Sequence, residues 1–400
     1  MKKNIFRAVF CLTLMATATT AIVSCSRSDD NTENNTSTVD PANFKGEIKA
    51  GTTVTLDPSK VYNLTGKLLV ENGATLIIPA GTVIKGAQGA TYLIVDRGGK
   101  IFMNGTAEKP VVFQGAQAGQ GFWGGVVILG NAPTNRSASG TSTSELGDMV
   151  YGGTNKTDNS GIMTYVIIKD SGFKYNPEKE FNGLSLFGVG SGTTVSNIAI
   201  MDGADDGIEF FGGNVNASNL LILGCGDDSF DWTEGWQGTV TNVYAARKKE
   251  YVNAVEPGNR GIEADTQDTD PNTTNGNGAS NPTIKNFTLI GNSKGSESQG
   301  MKIRAGSNGV FENIVIANFN VGVDFETQRT YDWFTGANRI TNIQFVNVAT
   351  KSKAKSPFPD AILTAFVEKE NQGAGNGTGL PSWAKGWSGV NSFDVADAGN

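Results

Sequence analysis

The sequence predicts an all-β protein, a single-stranded right-handed parallel β-helix, on three observations. A short alternating block, Ser196-Asn197-Ile198-Ala199-Ile200, returns 22 positions later as Ser218-Asn219-Leu220-Leu221-Ile222 and again as Thr241-Asn242-Val243-Tyr244-Ala245. Between the first two copies lies Asp205-Asp206-Gly207-Ile208-Glu209-Phe210, which returns with the same shift of 22 as Asp227-Asp228-Ser229-Phe230-Asp231-Trp232. The 52 Gly and 12 Pro in 400 residues describe a turn-rich β chain rather than a helical one. A repeat of this size cannot bury its apolar face alone, so it must stack on its neighbours.

In chain order, residues 1–24 read as a targeting signal. Lys2, Lys3 and Arg7 form a positive region and Ala8 to Ile22 an apolar one. Ala21-Ile22-Val23-Ser24-Cys25 resembles a bacterial lipobox, which implies cleavage before Cys25 and lipidation of its sulfur. Ser28-Asp29-Asp30 resembles the acidic export tag of Bacteroidota surface lipoproteins. Residues 25–43 are expected to be the lipidated Cys and a polar, flexible tether.

The solenoid is expected over 44–400. Early coils include Ala74-Thr75-Leu76-Ile77-Ile78, Tyr92-Leu93-Ile94-Val95 and Lys100-Ile101-Phe102-Met103. Residues 131–160 and 246–282 break the period and read as excursions from the coil. An Asn-led strand returns at Asn286, Asn313 and Asn342, which predicts a ladder of side-chain amides inside one turn. From about residue 351 the pattern changes. Pro359 to Val367 fits a short amphipathic helix that caps the last coil.

Composition excludes some chemistry. The chain has no His, which removes Ser-His-Asp and Cys-His catalysis and any His-ligated metal. Loss of Lys2, Lys3 and Arg7 with the signal takes the charge from 32 − 39 = −7 to 29 − 39 = −10, an acidic balance that argues against nucleic acid and suits cations. Cys11 leaves with the signal and Cys25 carries lipid, so Cys225 has no disulfide partner and reads as a buried small residue.

Stacking equivalent strands places chemistry in columns. Aligning Gly207-Ile208-Glu209-Phe210 with its four later equivalents gives an outward column of Glu209, Asp231, Glu263, Lys302 and Asp324. Asp265, Arg304 and Glu326 face outward two residues further on. Carboxylates stacked at about 5 Å repel unless a cation or shared protons relieve them. The column therefore reads either as a solvated acidic face or as a cation-assisted glycan site, with Ca²⁺ held by Glu209, Asp231 and Glu263. Trp123, Trp236 and Trp333 fall at turns or loops, where they either stack on sugar rings or pack under the loops.

Asp206-Gly207-Ile208-Glu209, followed by Asp227-Asp228, resembles the acidic core of the polygalacturonase family of β-helix glycosidases. The resemblance implies Asp206, Asp227 and Asp228 as carboxylates of an inverting hydrolase. The family's next motif carries a His, which has no counterpart in this chain, and its Arg-x-Lys is reversed as Lys302-Ile303-Arg304. Over most of its length the chain resembles pectin-lyase-like β-helix lipoproteins and secreted proteins of Bacteroidota, through Gly121 to Gly130, Asp205 to Gly213 and Asp227 to Gly235.

The expectation is a lipoprotein anchored at the bacterial outer membrane, on the cell surface, that binds an extracellular glycan along its acidic face. Two alternatives stand beside it. One is a polysaccharide hydrolase, or a Ca²⁺-dependent lyase, using Asp206, Asp227, Asp228, Lys302 and Arg304. The other is a structural subunit of an outer-membrane protein complex.

Overall fold

The computed structural model describes residues 39–146, 149–176, 179–251, 260–267, 269, 277–295, 297–359 and 365–393. The expected signal peptide, Cys25 and most of the tether lie outside the described residues. The described strands begin with Phe44–Ile48. Among the described residues twenty-four strands form one continuous parallel ladder, and two antiparallel hairpins stand apart from it. Among the described residues no helix is long and apolar enough to cross a membrane.

The ladder has three faces. The first stacks Thr53–Thr55, Thr75–Pro79 and Lys100–Asn104, then the opening halves of the long strands from Gly161–Lys169 to Ile340–Val346. The second stacks Val83–Gly86 and Val111–Gly115 with the closing halves of those same strands. The third stacks Leu93–Val95, Val126–Leu129, Leu184–Phe187, Ile208–Phe211, Phe230–Thr233, Arg260–Ala264, Gln299–Ile303, Val321–Phe325 and Thr350–Ala354. Its register pairs Ser185, Glu209, Asp231, Glu263, Lys302, Asp324 and Lys353 in turn, and Glu209 to Asp324 are the column that the repeat predicts.

The corner between the first and second faces is built by asparagine. Asn197, Asn219, Asn242, Asn286, Asn313 and Asn342 all sit at φ between 54° and 61°, the left-handed region that Asn enters more readily than other side-chain-bearing residues. Each later amide donates to the Oδ1 of the Asn before it, at 2.9–3.2 Å, so one ladder runs through six coils. A bend that would strain most residues is thereby held by the side chain that tolerates it.

Inward residues fill the coil with aliphatic and aromatic side chains. Phe210, Phe230, Trp232 and Trp236 meet at its centre, with the Phe210 and Trp236 rings stacked at 4.2 Å. Cys225 is 1% exposed and unpaired, and burial pushes its thiol up to about 12, which fits a packing role.

The helix expected over Pro359 to Val367 falls mostly outside the described residues, at 360–364, and Ala365 near its end is helical. Phe366–Glu368 is a strand paired to Ile340–Val346. A short α-helix occurs earlier, at Gln328–Phe334, in the loop leaving Val321–Phe325. Beyond residue 370 the chain folds back over the outer side of the second face. Trp383 and Trp387 cover an apolar stripe there that includes Ala199, Leu221 and Tyr244. Tyr244 donates to the Thr378 carbonyl at 2.9 Å, and Thr288 to that of Gly377 at 2.8 Å.

Candidate functional site

The third face carries a cleft of about 840 Å³. Its floor is the acidic column, and its walls come from the first excursion and the hairpin of Lys174–Asn176 with Lys179–Glu180. Ten carboxylates line it against three cationic side chains, Arg136, Lys179 and Arg304. From the expected column, Glu209, Asp231, Glu263, Asp265 and Arg304 line the cleft. Lys302, Asp324 and Glu326 are not among its lining residues, and Lys302 faces Glu326 at 3.5 Å.

The turns that carry the acidic pairs are tied from coil to coil. Asp206 Oδ1 accepts the backbone N–H of Asp228 at 2.8 Å. One coil on, Asp228 Oδ1 accepts the backbone N–H of Arg260 at 2.7 Å, and its Oδ2 takes the Arg260 guanidinium at 3.0 Å. Gly207 is needed beside Asp206 for space, because a Cβ there would lie 2.5 Å from both Ile222 Cγ2 and the Ser229 carbonyl. Asp206 and Asp227 line the cleft, whereas Asp228 is 2% exposed beneath Arg260 and is not a lining residue. The set implied by the glycosidase resemblance is therefore divided, two carboxylates reaching the cleft and one serving the turn.

The carboxylates form tight groups. Asp205, Asp206 and Asp227 offer oxygens within 4.8 Å of one another, as do Asp206, Glu209 and Asp231, and Asp228, Asp231 and Glu263. The expected cation set of Glu209, Asp231 and Glu263 is thus split, with Asp231 shared between two groups. Burial, reinforced by neighbouring carboxylates, holds Asp205, Asp206, Glu209 and Asp231 well above the usual carboxylate range. Asp228 is pushed up to about 7 by burial and by Asp227 and Glu263, against the pull of Arg260. Asp231 Oδ1 is shut off from solvent and accepts no hydrogen bond among the described residues. Such a cluster calls for protons or a cation to balance it.

The opposite end of the cleft is compensated. Arg304 bonds Glu263 at 2.9 Å and Asp265 at 2.9 Å, and Arg260 sits 3.0 Å from Glu263. Arg304 is therefore committed to ion pairs, and neither it nor Lys302 stands free over the cleft as a base for elimination.

Several lining residues carry no repeat signal. Glu234 accepts from Tyr151 through a short hydrogen bond, from Thr134 at 2.8 Å and from Arg136 at 2.8 Å. This carboxylate fastens the first excursion to the cleft. Asn135 and Gln267 tie the two excursions together, through Asn135 to the Thr266 carbonyl at 3.1 Å and Gln267 to the Asn135 carbonyl at 2.9 Å. Phe187 and Phe211, stacked at 3.9 Å, give the cleft an aromatic wall that is almost wholly buried, at 1% and 7% exposure.

The tryptophans are not that wall. Trp123 and Trp236 are 0% exposed, their indole N–H groups donating to the Lys169 and Val215 carbonyls at 2.6 and 3.2 Å. They pack inside the coil, so neither offers a ring to sugar. Trp333 is half-buried, with the Arg339 guanidinium 4.1 Å from its ring and its N–H on Gly309 at 3.0 Å. It lies on the helix of the late loop and is not a lining residue of the cleft.

A three-faced parallel coil bearing one recessed acidic cleft defines a solenoid of the pectate-lyase kind. The chain belongs to the pectate-lyase-like beta helix domain family, whose description matches residues 46–388. No curated relative matches the sequence. The enzymatically active domain of tailspike protein 2 from bacteriophage CBA120 aligns at 16% identity with a TM-score of 0.29, covering 74% of this chain and 38% of that one. The Dettilon tailspike protein aligns at 10% identity and TM-score 0.27, covering 76% and 62%. Endo-xylogalacturonan hydrolase from Aspergillus tubingensis aligns at 12% identity and TM-score 0.27, covering 80% and 91%. The chain spans well under half the length of the first of these structures.

Proposed function

We propose that the protein binds an extracellular polysaccharide in the acidic cleft of its third face. The observation that supports this most directly is the cleft itself. It is about 840 Å³ in volume, crosses successive coils and is walled by polar side chains. A polymer with a regular repeat suits a floor whose own chemistry repeats at about 4.8 Å per coil. The lipobox at Cys25 and the Ser28-Asp29-Asp30 tag support anchoring at the bacterial outer membrane, facing outward, in a Bacteroidota-type envelope. The experiment is affinity electrophoresis of the purified protein through gels containing neutral, amino and acidic polysaccharides. Retardation by at least one class is expected, and migration unchanged by all of them would overturn the reading.

A second reading, hydrolysis, is favoured by one specific observation. Asp206, Glu209 and Asp231 lie within 4.8 Å of one another and are raised well above the carboxylate range, so one can hold a proton while a neighbour is ionised. That is the arrangement a general acid and its partner need. New reducing ends released from a retained polysaccharide, and lost in Asp231→Asn, would establish it. Retention without new ends leaves binding as the function.

A further inference from the structure

We infer that the ligand of this cleft is a glycan carrying free amino groups, protonated at neutral pH, rather than a polyuronate. The inference rests on the glycan reading above and adds to it the charge of the ligand.

The charge along the cleft is uneven. Glu263 and Asp265 are met by Arg304, and Glu234 by Arg136. Among the described residues, Asp205, Asp206, Glu209 and Asp231 make no ion pair with any Lys or Arg. Their bonds are to neutral groups, the Asn182 amide on Glu209 at 2.7 Å and the Asp228 N–H on Asp206 at 2.8 Å. Asp231 Oδ1, in the middle of this stretch, has no donor at all among the described residues. Arg247 acts on Asp206, and Arg304 on Asp231, only at a distance, so among the described residues no cation is bonded directly to these four carboxylates.

A ligand can supply one. A sugar ammonium is a compact cation with three donors, able to serve two or three carboxylate oxygens that lie within 4.8 Å of each other. Glu209 and Asp231 pair directly in register, so anionic positions recur along the coil axis, as amino groups recur along such a polymer. A uronate would bring another carboxylate against four that are uncompensated. Of the three cations that line the cleft, Arg136 and Arg304 are held by Glu234, Glu263 and Asp265, and Lys179, on the hairpin wall, is the third. Like charge at this separation disfavours binding.

The test compares three oligosaccharides of equal length by calorimetry on the intact protein at low salt: glucosamine, N-acetylglucosamine and galacturonate, with EDTA present. The glucosamine oligomer is expected to bind at least tenfold more tightly than its acetylated counterpart, and galacturonate to give no binding. In the double variant Glu209→Gln, Asp231→Asn, glucosamine affinity should fall at least tenfold while the acetylated oligomer is unaffected. Equal affinity for the amino and acetylated oligomers, or unchanged glucosamine affinity in a folded double variant, would overturn the inference and leave the glycan cleft standing. So would galacturonate binding most tightly once Ca²⁺ replaces EDTA. If no oligomer binds, the glycan reading fails and this one with it. Should the variant not fold, the wild-type comparison still decides.

Discussion

Asp206 Oδ1 accepts the backbone N–H of Asp228 at 2.8 Å, so one carboxylate of the cleft is also a rivet between successive coils. Structure and chemistry can be separated at this residue. Asp206→Asn keeps an oxygen for the N–H and removes a charge that burial and Asp205, Asp231 and Asp228 all oppose. Its melting temperature should equal or exceed that of the wild type, while glycan retention or turnover falls. Asp206→Ala strands a buried N–H and should cost about 1–3 kcal/mol. Urea denaturation of the two variants checks this; equal destabilisation by both would show that the charge, not the acceptor, holds the turn.

Arg260 stands one coil beyond. It holds Asp228 and Glu263 at 3.0 Å each, makes a short ion pair with Glu297, and bonds the Gln299 side chain at 3.1 Å. Removing this buried cation leaves Asp228, 2% exposed, as an uncompensated buried charge. Arg260→Ala should therefore lose about 3–5 kcal/mol. Asp228→Asn in the same background should recover part of that loss, because it removes the stranded charge. A double variant no more stable than Arg260→Ala would place the cost in Glu263 or in lost packing instead.

Stability should fall as pH rises through neutrality. Asp205, Asp206, Glu209 and Asp231 are held above their unfolded values, and Asp228 is pushed up to about 7 from 3.8. Between the unfolded and folded values the native state binds more protons than the unfolded chain, so the slope of stability against pH is negative there. For Asp228 that window runs from about 4 to about 7. The melting temperature should rise on going from pH 8 to pH 5. Below that, carboxylates held down by partners, such as Glu326 beside Lys302 and Lys355, lose their contribution on protonation and the trend should reverse. A melting temperature that climbs from pH 5 to pH 8 would contradict the charge excess in the cleft.

Much of this architecture was legible in the sequence because parallel, in-register stacking turns a linear shift into a spatial neighbour. The pairing of Glu209 with Asp231 follows from a 22-residue offset, and so does the amide bond from Asn219 to Asn197. What stayed hidden lies where the period stops. Tyr151, Arg136 and Glu234 converge across 83 to 98 positions of sequence, and no periodicity marks a contact of that kind. Trp123 and Trp236 were ambiguous because they sit in glycine-rich segments that read as turns, yet both rings belong to the coil's inner core. The Asp228 carboxylate resembled a catalytic group because a turn-former and an acid share the same side chain, and only the Arg260 partner tells them apart.

Calcium separates the remaining possibilities for the uncompensated end of the cleft. Asp206, Glu209 and Asp231 form one close group and Asp228, Asp231 and Glu263 another, but Arg260 already neutralises much of the second. Calcium prefers several carboxylate oxygens without a competing cation. Millimolar Ca²⁺ should therefore raise the melting temperature through the first group, and EDTA should reverse the shift. At a hundredfold excess over the dissociation constant, mass action is worth about 2.7 kcal/mol. Asp206→Asn should abolish the shift, while Glu263→Gln should leave it largely intact. The reverse pattern would move the cation to the Arg260 end. Because an amino glycan would use the same oxygens, Ca²⁺ should also weaken glucosamine binding, whereas a ligand carrying carboxylates would bind more tightly in its presence. If scanning calorimetry finds no shift at all, protons alone balance the cluster, and the pH dependence above must then account for its whole effect on stability.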